Sequence, residues 1–338
     1  GIEEGQHIEE NVLNVAISRT LSAKTEWAAI LATAASPDMQ IVISNTTEVG
    51  IQLVDDDLSA QPPVSFPGKL TAYLYERFKA FNGSAESGLV IIPTELLPDN
   101  GGKLKEIVLE QARRHELPAE FMSWLENANR FCSSLVDRIV PGAPAPEVKS
   151  AVEETLGYTD ELLIMSEVYR LWAIEGDEKV KEVLTFAQAD TGVIIEPNID
   201  VYRELKLRLL NGTHTLCVGL CYLYGLDIVR QAMENAETAQ FIEDLMQQDL
   251  APAIPYPIEL AKAHEFGNQV LDRFRNPAIR HQLIDITVQY TAKMKMRNVP
   301  TILQHYQSND TPQPNVVKGF AAYLLFMKAV ETDGKVYY

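Results

Sequence analysis

The run GLVIIP, residues 88–93, holds four consecutive apolar residues between a glycine and a proline. It is short and rich in β-branched side chains, and it does not alternate with polar residues. Such a run fits a strand covered on both faces, as in a parallel sheet. QIVIS, residues 40–44, has the same character. Between the two lies a helical pattern over residues 69–81, opened by the turn signal Phe66-Pro67-Gly68. Further helical patterns cover residues 102–115 and the stretch after Pro118. A third strand candidate, SSLVDRIV at 133–140, is closed by Pro141-Gly142. Strand–helix alternation of this kind predicts βαβ units and a wound parallel sheet.

Working outward, PGAPAPE (141–147) reads as a loop and IIEPNID (194–200) as an irregular connection. Beyond it the pattern changes. Residues 205–233, 236–249, 257–274, 277–296 and 314–331 all carry helical periodicity, with no strand pattern among them. The chain therefore divides near residue 200. Residues 1–200 form a Rossmann-like α/β domain, and residues 201–338 form an all-α domain. A dinucleotide-binding sheet opens with strand, Gly-x-Gly-x-x-Gly and helix. That fingerprint does not occur in these 338 residues. Either this is not a nucleotide fold, or the first βα unit is missing, and with it the acidic residue that separates NAD from NADP.

Composition narrows the function classes. Apolar residues make up 46 % and charged residues 22 %, as in a soluble globular protein. No apolar run approaches the ~18 residues of a membrane span, and the acidic start GIEEGQHIEEN is unlike a signal peptide. Three cysteines inside apolar segments read as packed thiols in a reducing, cytoplasmic compartment. The six histidines show no metal-ligand spacing. With 29 basic against 47 acidic residues the net charge is −18. This argues against a nucleic-acid partner, and an anionic ligand would need a local basic cluster.

The motif that carries chemistry is KLRLLNGTH, residues 206–214. At ~100° per residue on an α-helix, Asn211 lies roughly 140° and His214 roughly 80° from Lys206. Leu205 and Leu209 take the opposite side. A lysine whose pKa falls on burial is a usable acid/base. An asparagine amide can polarise a carbonyl oxygen, and a histidine can orient a substrate or relay a proton. The same three residues also fit a lysine snorkelling from a helix start with the other two satisfied internally. A second feature is the segment 273–297, which holds Arg273, Arg275, Arg280, Lys293, Lys295 and Arg297 against the single acid Asp285. It fits either a carboxylate or phosphate subsite or a solvated helix surface.

Lys206, Asn211 and His214 resemble the Lys-x-x-x-x-Asn-x-x-His motif of the polyol-specific long-chain dehydrogenases, the mannitol dehydrogenase family. ISNTTEVGI (43–51), PTELLPDNG (93–101), FCSSLVDRIVPG (131–142) and RFRNPAIRHQL (273–283) add to the likeness. Within the family these stretches look most like the branch that interconverts D-tagaturonate and D-altronate with NAD. The resemblance implies that Lys206 is the general acid/base, that Asn211 stabilises the oxyanion and that His214 orients the substrate. It implies substrate contact by Lys293, and the basic segment adds Arg280 for a uronate carboxylate. On the cofactor side it implies Glu48, Asp137 and Arg138. Glu95-Leu96 stand where mannitol-type members have Asp-Asn, so the second amide donor is lacking and Asn100 is the residue left to act near the substrate. Three other readings stay open: a fructuronate- or mannitol-specific member of the same family, a Schiff-base lyase or aldolase using Lys206, and a sugar-acid binding protein without catalysis.

Overall fold

The computed structural model describes residues 1–47, 49–328, 330–332 and 335–337. The chain forms two compact units: Asn11–Asp137 with Arg170–Ile199, and Gly1–Glu10 with Arg138–Tyr169 and Asp200–Tyr338.

The first unit is built on the apolar runs. Ile41–Ser44, Val90–Pro93 and Arg130–Phe131 lie side by side in parallel, with Val90 opposite both Ile41 and Arg130. Leu89, Ile91 and Ile92 are almost wholly buried, as strands covered on both faces require. The helix Phe66–Ala80 follows a Ser65 cap that accepts from the Gly68 amide, with Pro67 in its first turn. Its Arg77 is buried and donates to the carbonyls of Ala34, Ser36, Met39 and Ser87, gathering three loop ends on one guanidinium. A second sheet differs from the expectation of a purely parallel one. Ser134–Asp137 runs antiparallel to Leu171–Glu175, which is parallel to Val193–Glu196. The strand candidate at 133–140 thus shortens to four residues. Val193–Glu196 occupies part of the region read as irregular, because Pro197 ends the strand so soon that the apolar run looked like a connection.

The second unit is mostly helical around a core of Leu205, Leu209, Leu216, Val218, Cys221, Leu245, Leu250 and Val270. The periodic stretch 205–233 is several elements. Asp200–Leu205 passes into a π-helical turn, Lys206–Gly212, and then into Thr213–Leu223. Gly225, at φ 90°, breaks the chain in a conformation that only glycine adopts readily, and Val229–Glu234 resumes. Leu260–Arg275, Leu283–Ile286, Tyr290–Arg297, Val299–His305 and Pro314–Phe326 complete the helices that matter below. Two short antiparallel strand pairs are added: Ile2–Glu3 with Gln6–His7, and, in the region where no strand pattern was expected, Val330–Thr332 with Lys335–Tyr337. Pro146–Leu156 is a helix that starts inside the segment read as a loop. Cys132, Cys217 and Cys221 are buried free thiols.

Candidate active site

The turn Lys206–Gly212 closes on i→i+5 hydrogen bonds, a geometry found mostly as single turns at functional sites. Residues five apart then become neighbours on successive turns. Lys206 and Asn211 come onto one face, where an α-helix would have set them roughly 140° apart. The neighbouring helix end holds this turn. Arg208, only 7 % exposed, donates Nη1 to the carbonyls of Met296 (2.8 Å) and Arg297 (2.9 Å) and Nε to Glu204 (2.8 Å). The two carbonyls belong to the last turn of Tyr290–Arg297, which has no intrahelical donors for them. Asn298 Nδ2 donates to the Gly212 carbonyl at 3.0 Å, and a Cβ on Gly212 would lie 3.1 Å from that nitrogen. Glycine is therefore the residue that lets the turn approach.

Lys206 and Asn211 are half-buried on this turn and His214 is buried one turn on. The His214 ring stacks on Phe274 at 4.1 Å and meets the edge of His281 at 5.1 Å. Its Nδ1 is buried without a hydrogen-bond partner among the described residues. Burial, followed by the charges of His281, Arg297, Arg273 and Lys293, holds its pKa well below the ordinary histidine value. The imidazole is therefore neutral near pH 7, with one nitrogen donating and one accepting. Burial lowers the His281 pKa too, Lys293 adding to it against Asp285. Lys293 Nζ donates to the Ile286 carbonyl at 2.9 Å, and its pKa is lowered by burial and by Arg297. Arg297 Nη1 donates to Thr215 Oγ1 at 3.2 Å, and that hydroxyl donates to the Asn211 carbonyl at 2.8 Å. Around the His214 ring thus lie Phe274, His281 and the charges of Arg297 and Lys293, and Arg297 is joined through Thr215 to the main chain of Asn211. Such a set can hold an anion and donate to an oxygen.

The other candidates fall elsewhere. Arg273 forms a buried two-pronged pair with Glu167, and Arg275 pairs with Asp272. Lys295 is exposed, and Arg280 is exposed on a shallow cleft lined by Asp227, Arg230, Gln231 and Pro277. Asn100 corrects an expectation. It is fully buried, and its Nδ2 donates to the carbonyls of Pro93 (3.0 Å), Glu95 (2.9 Å) and Ser134 (3.0 Å) while Oδ1 accepts from the Ser134 amide (2.9 Å). No amide hydrogen is left for a substrate, so Asn100 ties strand ends together. Asn100→Ala is expected to destabilise the fold by roughly 2–4 kcal/mol, from several lost hydrogen bonds and an orphaned buried amide. Chemical denaturation measures this, and a loss below about 1 kcal/mol would contradict it. Leu96 is exposed, and the Glu95 carboxylate accepts from Ser44 Oγ, Thr46 N and Thr46 Oγ1. Asp137 is buried at the end of its strand; Arg138 is exposed and donates Nε to the Glu167 carbonyl at 3.0 Å. Glu48 lies outside the described residues.

The reading of the sequence passed over Phe274, His281, Thr215 and Asn298. His281 stands beside Arg280 in RFRNPAIRHQL and Asn298 directly after Arg297, so in the sequence each is overshadowed by an adjacent arginine. Among the described residues no group of three His, Cys, Asp or Glu side chains is placed to hold a metal ion, and no helix is long and apolar enough to cross a membrane.

The family model for the mannitol dehydrogenase Rossmann domain matches residues 4–186, and that for the mannitol dehydrogenase C-terminal domain matches residues 198–338. The altronate oxidoreductase of Bacillus subtilis (strain 168) is 38 % identical over 333 residues, which are 98 % of this chain and 68 % of the relative. That of Halalkalibacterium halodurans is 38 % identical over 336 residues, 99 % of this chain and 65 % of the relative. The chain thus spans about two thirds of the length of these curated relatives. Among solved structures, a D-sorbitol dehydrogenase in substrate-free form superposes with a TM-score of 0.74 at 21 % identity, over 93 % of this chain and 66 % of that one. A ternary complex of Pseudomonas fluorescens mannitol 2-dehydrogenase with NAD and D-mannitol gives 0.62 at 24 %, over 95 % and 66 %. Both share the fold.

Proposed function

The chain belongs to the mannitol dehydrogenase family, and on that premise we propose that it is an NAD-dependent oxidoreductase interconverting D-tagaturonate and D-altronate. The observation that supports this reading is the π-helical turn Lys206–Gly212, which carries Lys206 and Asn211 and is followed by the buried, neutral His214. Relatives named altronate oxidoreductase support the choice of sugar acid.

In this reading Lys206 gives a proton to the ketone oxygen during reduction and takes it back during oxidation. The Asn211 side chain, which makes no hydrogen bond to any described residue, donates to the same oxygen as negative charge gathers there. His214, neutral and rigid between Phe274 and His281, fixes a neighbouring hydroxyl. Lys293 adds positive charge on the side where an acid group would lie. When bound, NAD supplies or removes the hydride. In wound α/β sheets a dinucleotide lies outside the carboxyl ends of the strands. The carboxyl ends of Ile41–Ser44 and Val90–Pro93 and the buried carboxylate of Asp137 fit that use. Asp137 and Arg138 are the residues proposed to lie along it.

Offering NADH with D-tagaturonate, D-fructuronate or D-fructose in parallel tests the reading. D-tagaturonate is expected to give a kcat/KM at least about ten-fold above D-fructose, since a site built for a polar group rejects an analogue lacking it. Faster use of D-fructuronate would move the assignment within the family. No NADH oxidation with any of the three would remove it.

A further inference from the structure

The chain has an excess of acidic residues, 47 against 29 basic, so an arginine has many chances to find a carboxylate. The buried arginines do find acceptors. Arg77 has four carbonyls, Arg208 has Glu204 and two carbonyls, and Arg273 has Glu167. Arg297 is the contrast. It is half-buried, and among the described residues it pairs with no carboxylate. Among the described residues its Nη1 meets only the Thr215 hydroxyl and its buried Nε has no acceptor. Holding a guanidinium away from water without a counter-charge is costly. An anion that arrives from outside would offset that cost.

The surroundings specify what kind of anion. Arg297 is fixed at its main chain by Arg208 and at its side chain by Thr215, whose hydroxyl continues to the Asn211 carbonyl. The guanidinium is therefore tied by two hydrogen bonds to the residue proposed to meet the reacting oxygen. Lys293 lies one helical turn before it and adds charge, but its ammonium is a point donor already directed at Ile286. With Nη1 on Thr215 and Nε enclosed, the Nη2 side of the guanidinium is what remains to receive an oxygen of an acid group. The neutral His214 adds no positive charge to attract a second anion.

We propose that Arg297 receives the carboxylate of the sugar acid and is the residue that separates a hexuronate from the neutral ketohexose. This deepens, and rests on, the reading of the chain as a uronate reductase. The test compares the full chain with its Arg297→Met and Arg297→Lys variants on D-tagaturonate and on D-tagatose, in which a hydroxymethyl group replaces the carboxylate. The ratio of kcat/KM for the acid over that for the neutral sugar is expected to fall about 10²-fold in Arg297→Met, the size of a lost charge-assisted pair. Arg297→Lys should recover part of it. An equal loss on both sugars would make Arg297 a support for the turn only, and an unchanged ratio would overturn the proposal outright. Calorimetric titration with D-altronate, compared between the full chain and Arg297→Lys, needs no turnover. If neither sugar is reduced yet D-altronate binds and weakens at least about ten-fold in Arg297→Lys, the reductase reading fails and the subsite stands. Equal affinity for the two proteins, or no binding to either, removes the subsite.

Discussion

Lys206→Ala is expected to lower kcat by about 10²–10⁴-fold, the contribution of a positioned acid/base group. The size follows from what the alanine leaves in place. Alanine is a strong helix former, and Arg208 and Asn298 continue to restrain the π-helical turn in the variant. Asn211, His214, Lys293 and Arg297 should therefore still gather the sugar acid, and the missing function is the proton. The loss should fall on kcat, with a melting temperature close to that of the unaltered chain. Turnover within about three-fold of normal, well short of an acid/base effect, would remove Lys206 from the chemistry. The same lysine could in principle act as a Schiff-base amine, and the two chemistries part on a simple point. Borohydride added with D-tagaturonate should leave Lys206 unmodified, because a proton donor forms no covalent bond to the ketone. A reduced adduct on Lys206 would replace hydride transfer with imine chemistry.

The sequence disclosed the parts that rest on local pattern. IVIS and VIIP became parallel strands because unbroken apolar runs can only be accommodated between two covered faces. The segments it missed depend on partners far away in sequence. Leu171–Glu175 is held as a strand between Ser134–Asp137 and Val193–Glu196, both distant in sequence, and its apolar run LWAI carries only a short local signal. The helical region was legible as helix but not as breaks, since periodicity continues past Gly225 and resumes at Val229. Periodicity also assumes a fixed turn per residue. It named Lys206, Asn211 and His214 and set them on one side of an α-helix, but it did not foresee the π-helical turn that carries the first two. The basic segment shows the same limit for charge. Arg273 and Arg297 look alike in RFRNPAIRHQLIDITVQYTAKMKMR. One is neutralised by an acid 106 positions away, and the other is not.

That difference sets the second large expectation. Arg273→Met should destabilise the helical unit by about 3–5 kcal/mol, the usual result of removing one partner from a buried ion pair. Glu167 would be left with a side chain 1 % exposed and without the Nη2 and Nε donors now 2.9 and 3.1 Å from its oxygens. The Ile139 amide, 2.6 Å from Oε1, is a neutral donor and does not cancel the charge. The guanidinium also lies 4.3 Å over the Tyr169 ring, a contact methionine replaces only in part. Adding Glu167→Gln to the same chain should recover a large share of the loss, because a neutral amide still accepts from Ile139 and carries no stranded charge. Denaturant midpoints of the two variants measure both steps. A loss under about 1 kcal/mol would mean that the pair behaves as a solvated surface bridge, which its burial contradicts. The pairing also predicts how Arg273 and Arg297 divide their roles. Arg273→Met should lower stability while leaving the ratio of acid to neutral sugar nearly as it was, because its charge is already answered within the protein. Arg297→Met should do the reverse, since the acid that answers it comes with the substrate.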